Sequence, residues 1–398
     1  MMVLTLNTGS SSLKAALYQV DQGERVVFSA EVSRIGSTAS RLSIDDASGA
    51  SVLDEQVDVS DHAAALSAVL EWLREQGKET QPGAIGHRVV HGGPRYREPV
   101  LITSEVLDTL RQLVPIDPTH LPQAIAAIET VRQTFPAVPQ IACFDTAFHR
   151  RMPCFAQMYA LPRHFSDVGI MRYGFHGLSY ESIMQELRAL ERPRAAGRIV
   201  IAHLGNGASM AAVRDGVGVD TTMGFTPAGG LMMGTRTGDL DPGVLLYLLE
   251  SQHLSAAELT TLITQESGLL GVSGIGGDMR DLLDRESTDP HAAEAVELFC
   301  YQARKFLGAL VAVLGGLETL IFTGGMGEHA APVRQRICDD LQFLGVRLAP
   351  ERNAGHAAVI SAENSAVQVR VMKTNEDLMI AQHTYRLVSQ KGWTYVPI

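Results

Sequence analysis

Short apolar runs alternate along the chain with glycine-rich turns and with longer stretches of helical periodicity. The first twenty residues predict a β-hairpin, because two apolar strands flank the turn NTGSSS. A second hairpin of the same order is predicted about half the chain later, in RIVIAHLGNGASMAAVRDGVGVDTT. The shared order of strand, Gly/Asn/Ser turn and strand hints at an internal duplication.

The rest of the pattern alternates strands with helices. Helical periodicity is clear in DHAAALSAVLEWLREQG, with Asp61 as the predicted N-cap, and in SEVLDTLRQLV and LPQAIAAIETVRQTF. Strands that run into polar or glycine-rich loops are predicted in GAIGHRVVHGG, PQIACFDTAFHRRMP, TLIFTGGMGEHAAPVRQRI and QVRVMKTNEDLMIAQHTYRL. This alternation predicts an α/β protein of two lobes with a cleft between them.

Composition and charge narrow the class of protein. With 398 residues and 45% hydrophobic content, the chain can form two or three domains with a sizeable core. The net charge of −11 argues against a nucleic-acid surface, and the four scattered cysteines fit a reducing, cytoplasmic compartment. We expect no signal peptide, and the most apolar run, residues 307–317, is too short to span a bilayer and is interpreted as a buried helix.

Three loops have the small residues that suit phosphate binding. In the first hairpin turn, backbone N–H groups and hydroxyls can point at phosphate oxygens, and Asn7 can offer an amide oxygen to hydrated Mg²⁺. Gly205 and Gly207 let the second turn approach a ligand closely, and the loop TGGMGE follows a later strand. Ordinary turns use the same residue types, but three such loops in this order favour one nucleotide held at its phosphates and near its adenosine.

Charged residues recur in loops at strand ends, where the fold does not require them. Any one of them could be a structural ion pair, but together they match phosphoryl transfer, which needs cations and donors around the moving group. A pair of arginines also suggests an anionic acceptor, since a carboxylate suits the guanidinium fork. The residues concerned are Arg88, His91, Asp145, His149, His176, Arg236, Asp239, Asp278, Arg280 and Glu376.

At these motifs the chain resembles the acetokinase family, the acetate kinases of the acetate and sugar kinase/Hsp70/actin superfamily. The matching motifs occur in the family order and span nearly the whole chain. They are NTGSSSLK, GHRVVHGG, FDTAFH, RYGFHG, AHLGNGAS, MGTRTGDLDPG, FTGGMGE and TNED. The resemblance implies reversible Mg-ATP-dependent phosphorylation of acetate to acetyl phosphate by direct in-line transfer, with Mn²⁺ as the alternative metal and ATP or ADP as co-substrate.

The resemblance also implies an architecture and an assembly. The fold would consist of two duplicated actin-like (ribonuclease H-like) lobes with a central active-site cleft. Residues 1–150 would form the N-terminal lobe, completed by a C-terminal helix at about 381–398. Residues 151–380 would form the C-terminal lobe, with the adenosine site and the interface of a homodimer. Neither nucleic acid nor membrane is expected as a partner.

Catalytic and metal-binding roles follow from the resemblance, residue by residue. Arg88 and Arg236 would bind the carboxylate and stabilise the transferring phosphoryl group, and Asp145 would orient Arg88, the metal or its water. His176 would donate to the γ-phosphate in the transition state, assisted by His120. The metal ligands would be Asn7 and Glu376.

The implied nucleotide site draws on the three glycine loops and on the motif GGDMRD. Its residues are Ser10, Ser12, Lys14, His203, Leu204, Gly205, Asn206, Gly207, Asp278, Met279, Arg280, Gly324, Gly325, Met326, Gly327, Glu328 and His329. The chain has His329 where the family usually has Asn, which affects the expected adenine contacts.

The acyl pocket would be lined by Val90, Phe175 and Pro227, with Thr119 at a position where the family usually has leucine. This small apolar pocket favours acetate, but one extra methylene is worth only about 1–3 kcal/mol, so a propionate kinase or a broader short-chain acyl kinase is the alternative. An actin- or Hsp70-like module would share the phosphate hairpins without needing the two arginines. A sugar kinase would need a polar acceptor site.

Overall fold

The computed structural model describes residues 1–9, 12–21, 23–77 and 80–390. The chain divides into two units, the first made of Met1–Ala147 with the C-terminal segment from Asn375, and the second of Phe148–Thr374. Each unit has a β-sheet with helices packed on it, so the predicted α/β class is confirmed. None of the helices in the described ranges is long and apolar enough to cross a membrane.

The sheet of the first unit has eight strands in the order β5-β4-β3-β2-β1-β6-β8-β7. Strands β1 to β5 pair antiparallel, whereas β1, β6 and β8 are parallel. The strands are β1 (Met2–Thr8), β2 (Ser12–Gln19), β3 (Arg25–Ser33), β4 (Arg41–Asp46), β5 (Ser51–Gln56), β6 (Ala84–Val89), β7 (Val100–Leu101) and β8 (Gln140–Phe144). The helices of this unit are His62–Glu75, Ser104–Leu113, Leu121–Thr134 and Glu376–Gln390.

The helix His62–Glu75 shows how the pattern of residues positions an element on this sheet. It begins where predicted, because the Asp61 side chain accepts a hydrogen bond from the backbone N–H of Ala64. Its buried residues Leu66, Val69 and Leu73 lie on one face and belong to the core of the sheet. Burying each such side chain contributes about 1.5–3 kcal/mol.

The sheet of the second unit has the order β11-β10-β9-β12-β13. Its strands are β9 (Arg198–Leu204), β10 (Ala208–Arg214), β11 (Val217–Thr221), β12 (Thr319–Thr323) and β13 (Gln368–Val371). The helices are Cys154–Gln157, Arg163–Asp167, Gly177–Leu190, Arg192–Ala195, Pro242–Glu250, Ala256–Gln265, Gly268–Ser273, Met279–Arg285, Pro290–Leu314, Gly324–His329, Ala331–Cys338 and Pro350–Ala354. Short 3-10 helices occur at Ala147–Arg151 and Gln342–Leu344.

The two sheets share one topology. Strands β3-β2-β1-β6-β8 correspond to β11-β10-β9-β12-β13, since both sets have three antiparallel strands followed by two parallel ones. The two predicted hairpin turns join β1 to β2 and β9 to β10, and therefore occupy equivalent places. This equivalence confirms the predicted duplication of an actin-like fold.

The apolar run 307–317 differs from its prediction as a buried helix. It lies at the end of the helix Pro290–Leu314, which stops at Gly315 in the left-handed conformation, with φ 70°. Leu307, Leu310 and Leu314 are buried, but Val313 is 47% exposed. Apolar composition alone did not reveal that only one face of this helix is covered.

The C-terminal helix begins at Glu376, earlier than the predicted 381, and residues 391–398 lie outside the described ranges. Its start is set by Asn375, whose side chain accepts a hydrogen bond from the N–H of Leu378 at 2.9 Å. The helix lies close on β6, because a Cβ at Gly86 would overlap the side chains of Thr384 and Ile380. The divisions after Ala147 and Thr374 likewise differ by a few residues from the predicted 150 and 380.

Candidate active site

A bidentate ion pair joins the ends of two parallel strands in the first unit. Arg88 pairs in register with Cys143, so Asp145, which follows β8, is brought to the side of the Arg88 guanidinium. The Arg88 Nε atom lies 3.0 Å from Asp145 Oδ1, and Nη2 lies 2.6 Å from Oδ2. The Asp145 side chain is 1% exposed, and that of Arg88 is 16% exposed. Such a two-bond pair holds the arginine in one orientation.

Asn7 and Glu376 extend this pair into a four-residue cluster. The Arg88 Nη1 atom donates to Asn7 Oδ1 at 2.9 Å, and Asn7 Nδ2 donates to Glu376 Oε2 at 3.0 Å. The same Glu376 oxygen lies 3.9 Å from Arg88 Nε. Asn7 lies near the end of β1, and Glu376 is the first residue of the C-terminal helix. The structure thus brings together four residues that the sequence singled out.

The electrostatics of this cluster favour an added cation. Burial raises the pKa of Asp145, and the Arg88 charge offsets only part of that effect. Burial, together with the Glu376 charge, raises the pKa of Asp377 to about 6, although Lys14 and Arg88 lower it. Asp377 Oδ1 is buried and has no hydrogen-bond partner among the described residues. The carboxylates of Asp145, Glu376 and Asp377 therefore face two cations, those of Arg88 and Lys14.

These oxygen donors fit a hard cation such as Mg²⁺, but only as a partial ligand set. In the described ranges, no group of three or more His, Cys, Asp or Glu side chains is arranged to hold a metal ion. Mg²⁺ usually keeps several waters and takes one or two carboxylates together with substrate phosphates. An incomplete protein site with an excess of carboxylate charge matches that behaviour.

The first hairpin turn is anchored at Gly9. The Gly9 N–H donates to the carbonyl oxygen of Ser12 at 2.8 Å, and His62 Nε2 donates to the Gly9 carbonyl at 2.8 Å. Lys14 pairs in register with Asn7 and is exposed. Ser10 lies outside the described residues. His62 was not predicted, because nothing in its own helix indicates that its ring reaches this turn.

A second histidine-carboxylate contact occurs in the first unit. His120 Nδ1 lies 2.7 Å from Asp117 Oδ1, just before the helix Leu121–Thr134. The Asp117 side chain is 2% exposed, and its Oδ2 atom is buried without a hydrogen-bond partner in the part of the chain that the structure describes. Of the residues predicted for the acyl pocket in this unit, Val90 is buried, and Thr119, which precedes His120, is half-buried. Sequence reasoning identified His120 but missed Asp117, for which the only signal is the D-x-x-H spacing.

In the second unit, His176 and His203 form a stacked pair. Their ring centroids are 4.3 Å apart, and the ring planes are inclined by 22°. His176 precedes the helix Gly177–Leu190 in the left-handed conformation, with φ 57°. Its Nδ1 atom lies 2.8 Å from Ser209 Oγ, and His203 Nδ1 lies 2.8 Å from Ser179 Oγ. Each ring is therefore held from its Nδ1 side.

His176 and Arg236 both reach the Gly207 turn. A Cβ at Gly207 would lie 3.2 Å from His176 Nε2 and 3.8 Å from Arg236 Nη1. Arg236 Nη1 also donates to the carbonyl of Pro227 at 3.1 Å. The glycine therefore leaves open the space in front of two predicted catalytic side chains.

Phe175, predicted to line the acyl pocket, has a side chain that is fully buried. Its carbonyl oxygen lies 2.9 Å from Nε2 of His149, which donates this hydrogen bond. Burial lowers the pKa of His149 to about 4, so this histidine is neutral near pH 7.

Two other residues that the sequence singled out stabilise the loops in which they lie. His91 Nδ1 accepts a hydrogen bond from the Gly93 N–H, and the Asp239 carboxylate accepts one from the Gly230 N–H.

A cavity of about 590 Å³ lies in the second unit, between the Gly205 turn and two helix starts. Its lining includes eight residues that the sequence assigned to the nucleotide: Gly205, Asn206, Asp278, Met279, Arg280, Gly325, Met326 and His329. The other lining residues, Gly277, Leu283, Ala330 and Pro332, were not predicted. Gly277 belongs to the motif GGDMRD but was not singled out, whereas Leu283, Ala330 and Pro332 are apolar residues outside the motifs that only the fold could place here.

The remaining nucleotide residues of this unit are not among those that line the cavity. Leu204, Gly324 and Gly327 are buried. The Glu328 carboxylate accepts from the Gly324 N–H at 3.0 Å and so closes the loop on itself. Arg334, which is fully buried, donates to the carbonyls of Gly327 and Glu328 at 2.9 Å each. These hydrogen bonds fix the backbone of the Gly324–His329 segment on one side of the cavity.

Comparison with known proteins decides the family. The acetokinase family model matches residues 2–382. The chain belongs to the acetokinase family. The acetate kinase of Methylocella silvestris is 46% identical over 98% of this chain and 98% of its own length. The chain is therefore a phosphotransferase with a carboxyl group as acceptor, as the resemblance implied.

Two solved structures support the same family fold. The acetate kinase of Porphyromonas gingivalis is 36% identical, with a TM-score of 0.86, and the match covers 97% of this chain and 99% of that one. A propionate kinase from Francisella tularensis subsp. tularensis is 34% identical, with a TM-score of 0.90 and the same two shares. The duplicated fold is thus shared with both acetate and propionate kinases.

Proposed function

We propose that this acetokinase transfers the γ-phosphoryl group of ATP reversibly to acetate, giving acetyl phosphate and ADP. The observation that supports the proposal best is the Gly207 turn. His176 and Arg236 approach Gly207, while Gly205 and Asn206 of the same turn line the 590 Å³ cavity. A nucleotide bound in that cavity would present its phosphates to both side chains.

The transfer is proposed to be direct and in line. A carboxylate oxygen of acetate attacks the γ-phosphorus, and the bond from that phosphorus to the bridging oxygen of ADP breaks. Arg236 and His176 donate hydrogen bonds to the equatorial oxygens of the phosphoryl group, where charge accumulates. Arg88, held by Asp145, supplies the guanidinium that binds and orients the acetate carboxylate.

His120 is proposed to assist the phosphoryl group, in the orientation that Asp117 gives its ring. Asn7 and Glu376 are proposed to hold Mg²⁺, with Mn²⁺ as the alternative. The metal would neutralise phosphate charge when bound. The excess of carboxylates around Arg88 and the buried, unpaired Asp377 Oδ1 support this assignment.

The adenosine is proposed to occupy the cavity of the second unit. Asp278, Met279, Gly325 and Met326 would contact it, while the exposed His329 would lie at the cavity edge. From the first unit, Ser10, Ser12 and Lys14 are proposed to serve the phosphates. The remaining predicted nucleotide residues of the second unit would contribute by fixing the conformation of the loops that line the cavity.

A propionate-directed activity is the second candidate. Thr119 is half-buried and smaller than the leucine that the family usually has, so an acyl pocket that includes it would have room for another methylene. Incubation with Mg-ATP and acetate, propionate or butyrate in hydroxylamine would trap each acyl phosphate as a hydroxamate. We expect the highest kcat/KM with acetate, and a changed acetate-to-propionate ratio in Thr119→Leu. The absence of hydroxamate from every acid would refute the proposal, and an unchanged ratio would remove Thr119 from the pocket.

A homodimer is proposed from the apolar surface of the second unit. Large apolar side chains are exposed there, among them Phe155 at 81% and Tyr301 at 58%. A second copy of the chain is proposed to cover such residues. Light scattering should give twice the 42.9 kDa chain mass, and a monomer mass at micromolar concentration would contradict this.

A cytoplasmic location is also proposed, supported by four cysteines that are all free thiols.

A further inference from the structure

A buried pair of hydroxyl groups lies on the Nδ1 side of the His176 ring. Ser209 Oγ is 2.8 Å from His176 Nδ1 and 2.5 Å from the phenolic oxygen of Tyr180. The side chains of Ser209 and Tyr180 are fully buried. The opposite nitrogen of the ring, Nε2, faces the Gly207 turn. The three side chains thus form a chain of hydrogen bonds that ends at the proposed phosphate site.

Both hydroxyl groups are carried by rigid elements. Ser209 lies in β10, where it pairs in register with His203 of β9. Tyr180 lies in the first turn of the helix Gly177–Leu190, and its N–H donates to the His176 carbonyl at 3.1 Å. The strained backbone of His176 is therefore held by the same helix that holds its ring through Ser209.

The direction of the hydrogen bonds between Tyr180, Ser209 and His176 determines whether His176 Nε2 donates or accepts a hydrogen bond. When the Tyr180 phenol donates to Ser209, the Ser209 proton is directed to His176 Nδ1, because a hydroxyl has only one proton to give. His176 Nδ1 is then an acceptor, and a neutral ring carries its proton on Nε2. The reverse order would leave a neutral Nε2 as an acceptor, facing phosphate oxygens that are also acceptors.

One neighbour opposes a positive charge on this ring. The Arg236 guanidinium reaches the same Gly207 turn, where a Cβ added to the glycine would lie 3.2 Å from His176 Nε2 and 3.8 Å from Arg236 Nη1. A cationic His176 would bring a second positive charge close to that guanidinium, whereas a neutral donor would not. A neutral ring with Nε2–H can still donate to a phosphoryl oxygen.

We propose that Tyr180 and Ser209 form a relay that holds His176 as the neutral Nε2–H tautomer. Both are thereby positioning residues for phosphoryl transfer. The catalytic part of this inference rests on the proposed function, but the tautomer does not. The tautomer can be measured on the free protein, without ATP or acetate. The claim about the tautomer and the claim about the catalysed reaction can therefore fail separately.

The tautomer can be observed directly on the nitrogen-15-labelled full-length protein near neutral pH. Long-range proton–nitrogen correlation spectra distinguish Nε2–H, Nδ1–H and imidazolium rings, and the loss of one signal set in His176→Gln assigns His176 among the 13 histidines. We expect the Nε2–H pattern in the wild-type protein. A Nδ1–H or imidazolium pattern overturns the relay. The expected pattern without any acyl phosphate formation refutes the proposed function and leaves the relay intact.

Two substitutions test the positioning role. Ser209→Ala removes the donor to Nδ1, and we expect a mixture of tautomers and a kcat lowered by about tenfold, equivalent to about 1.4 kcal/mol. Tyr180→Phe removes a single oxygen from the end of the relay and should lower kcat less, in the same direction. The KM for ATP should change less than kcat in both, because neither Ser209 nor Tyr180 lines the nucleotide cavity.

Tyr173→Phe is the matched control, since it also removes one buried phenolic oxygen from this unit. Tyr173 donates to the Gly169 carbonyl at 2.8 Å and takes no part in the relay. We expect its His176 spectrum and kcat to match the wild-type protein. If Ser209→Ala does not fold, Tyr180→Phe decides alone. Wild-type tautomer and kcat in the folded relay variants would overturn the inference.

Discussion

Arg88 and Asp145 form a two-bond ion pair in which a nearly inaccessible carboxylate fixes the plane of a partly accessible guanidinium. Burial opposes the charge on Arg88, but the charges of Asp145 and Glu376 outweigh it and raise the pKa of the guanidinium above its ordinary value. In the proposed mechanism, Asp145 would therefore act on acetate through Arg88. The pair depends on the flat, forked shape of arginine as much as on its charge.

Arg88→Lys should lower kcat by about hundredfold while leaving the fold intact, because lysine keeps the charge but cannot make both bonds to Asp145. Hydroxamate formation measures kcat, and circular dichroism checks the fold. Arg41→Lys is the control, since Arg41 also contacts a carboxylate, Asp54, through two nitrogens but at an exposed site of the same unit. Equal activity in both variants would show that Arg88 contributes charge alone.

Gly207→Ala should also lower kcat by about hundredfold, because the new methyl group would lie 3.2 Å from His176 Nε2 and occupy the space in front of it. The thermal midpoint should change little, since Gly207 does not adopt a positive φ. Gly308→Ala is the control, because a Cβ added at that position would meet no side chain and no other element within 4 Å. If Gly207→Ala turned over as fast as the wild-type protein, His176 would not donate to the transferred phosphoryl group.

The stability of the protein should depend on pH through His87. Burial lowers the pKa of His87 to about 4, from an ordinary value of 6.5. The unfolded chain therefore binds the extra proton between these values. The contribution of His87 to stability is complete above pH 6.5 and is lost as the pH falls toward 4, by about 3 kcal/mol at most.

His87→Gln should flatten this part of the pH profile of the urea midpoint, because glutamine does not titrate. His87 Nε2 lies 2.8 Å from the Gln140 amide, which a glutamine side chain can still reach. His291→Gln, at a side chain that is 69% exposed, serves as the control. If the wild-type and His87→Gln profiles run parallel between pH 4 and 6.5, His87 is not the titrating group.

We expect Asp117 to affect kcat indirectly, by orienting the ring of His120. Asp117→Ala leaves His120 Nδ1 without its buried carboxylate partner, and we expect kcat to fall by about tenfold, the loss typical of a misoriented donor. Asp117→Asn retains a side-chain oxygen that can accept the same hydrogen bond, and should recover part of the activity. A double variant with His120→Ala should be no worse than His120→Ala alone. An additive loss in the double variant would mean that Asp117 acts independently.

Much of the first-unit cluster could be predicted from the sequence, for a physical reason. Arg88 and Asp145 stand at the ends of adjacent parallel strands, whose carboxyl ends meet at one sheet edge. Asn7 is the last but one residue of a strand of the same sheet, and Glu376 begins a helix that packs on that sheet. Periodicity and polar strand ends were sufficient to indicate these four positions.

The residues that were missed are those whose role depends on side-chain packing. Ser209 and Tyr180 meet only because β10 and the helix Gly177–Leu190 pack together, and neither residue type indicates such a contact. Leu283 and Pro332 belong to the cavity wall through the placement of whole helices. The exposure of Val313 was likewise set by what covers the helix, which local sequence does not specify.

The return of the chain to its first unit at Asn375 has a consequence for biosynthesis. Residues 148–374 form an uninterrupted unit, whereas the Asn7–Glu376 hydrogen bond joins positions 369 residues apart. A ribosome therefore releases everything that the second unit needs before it releases the helix that completes the first. The second unit can mature during translation, while the Arg88 cluster is assembled later, only after Glu376 has emerged.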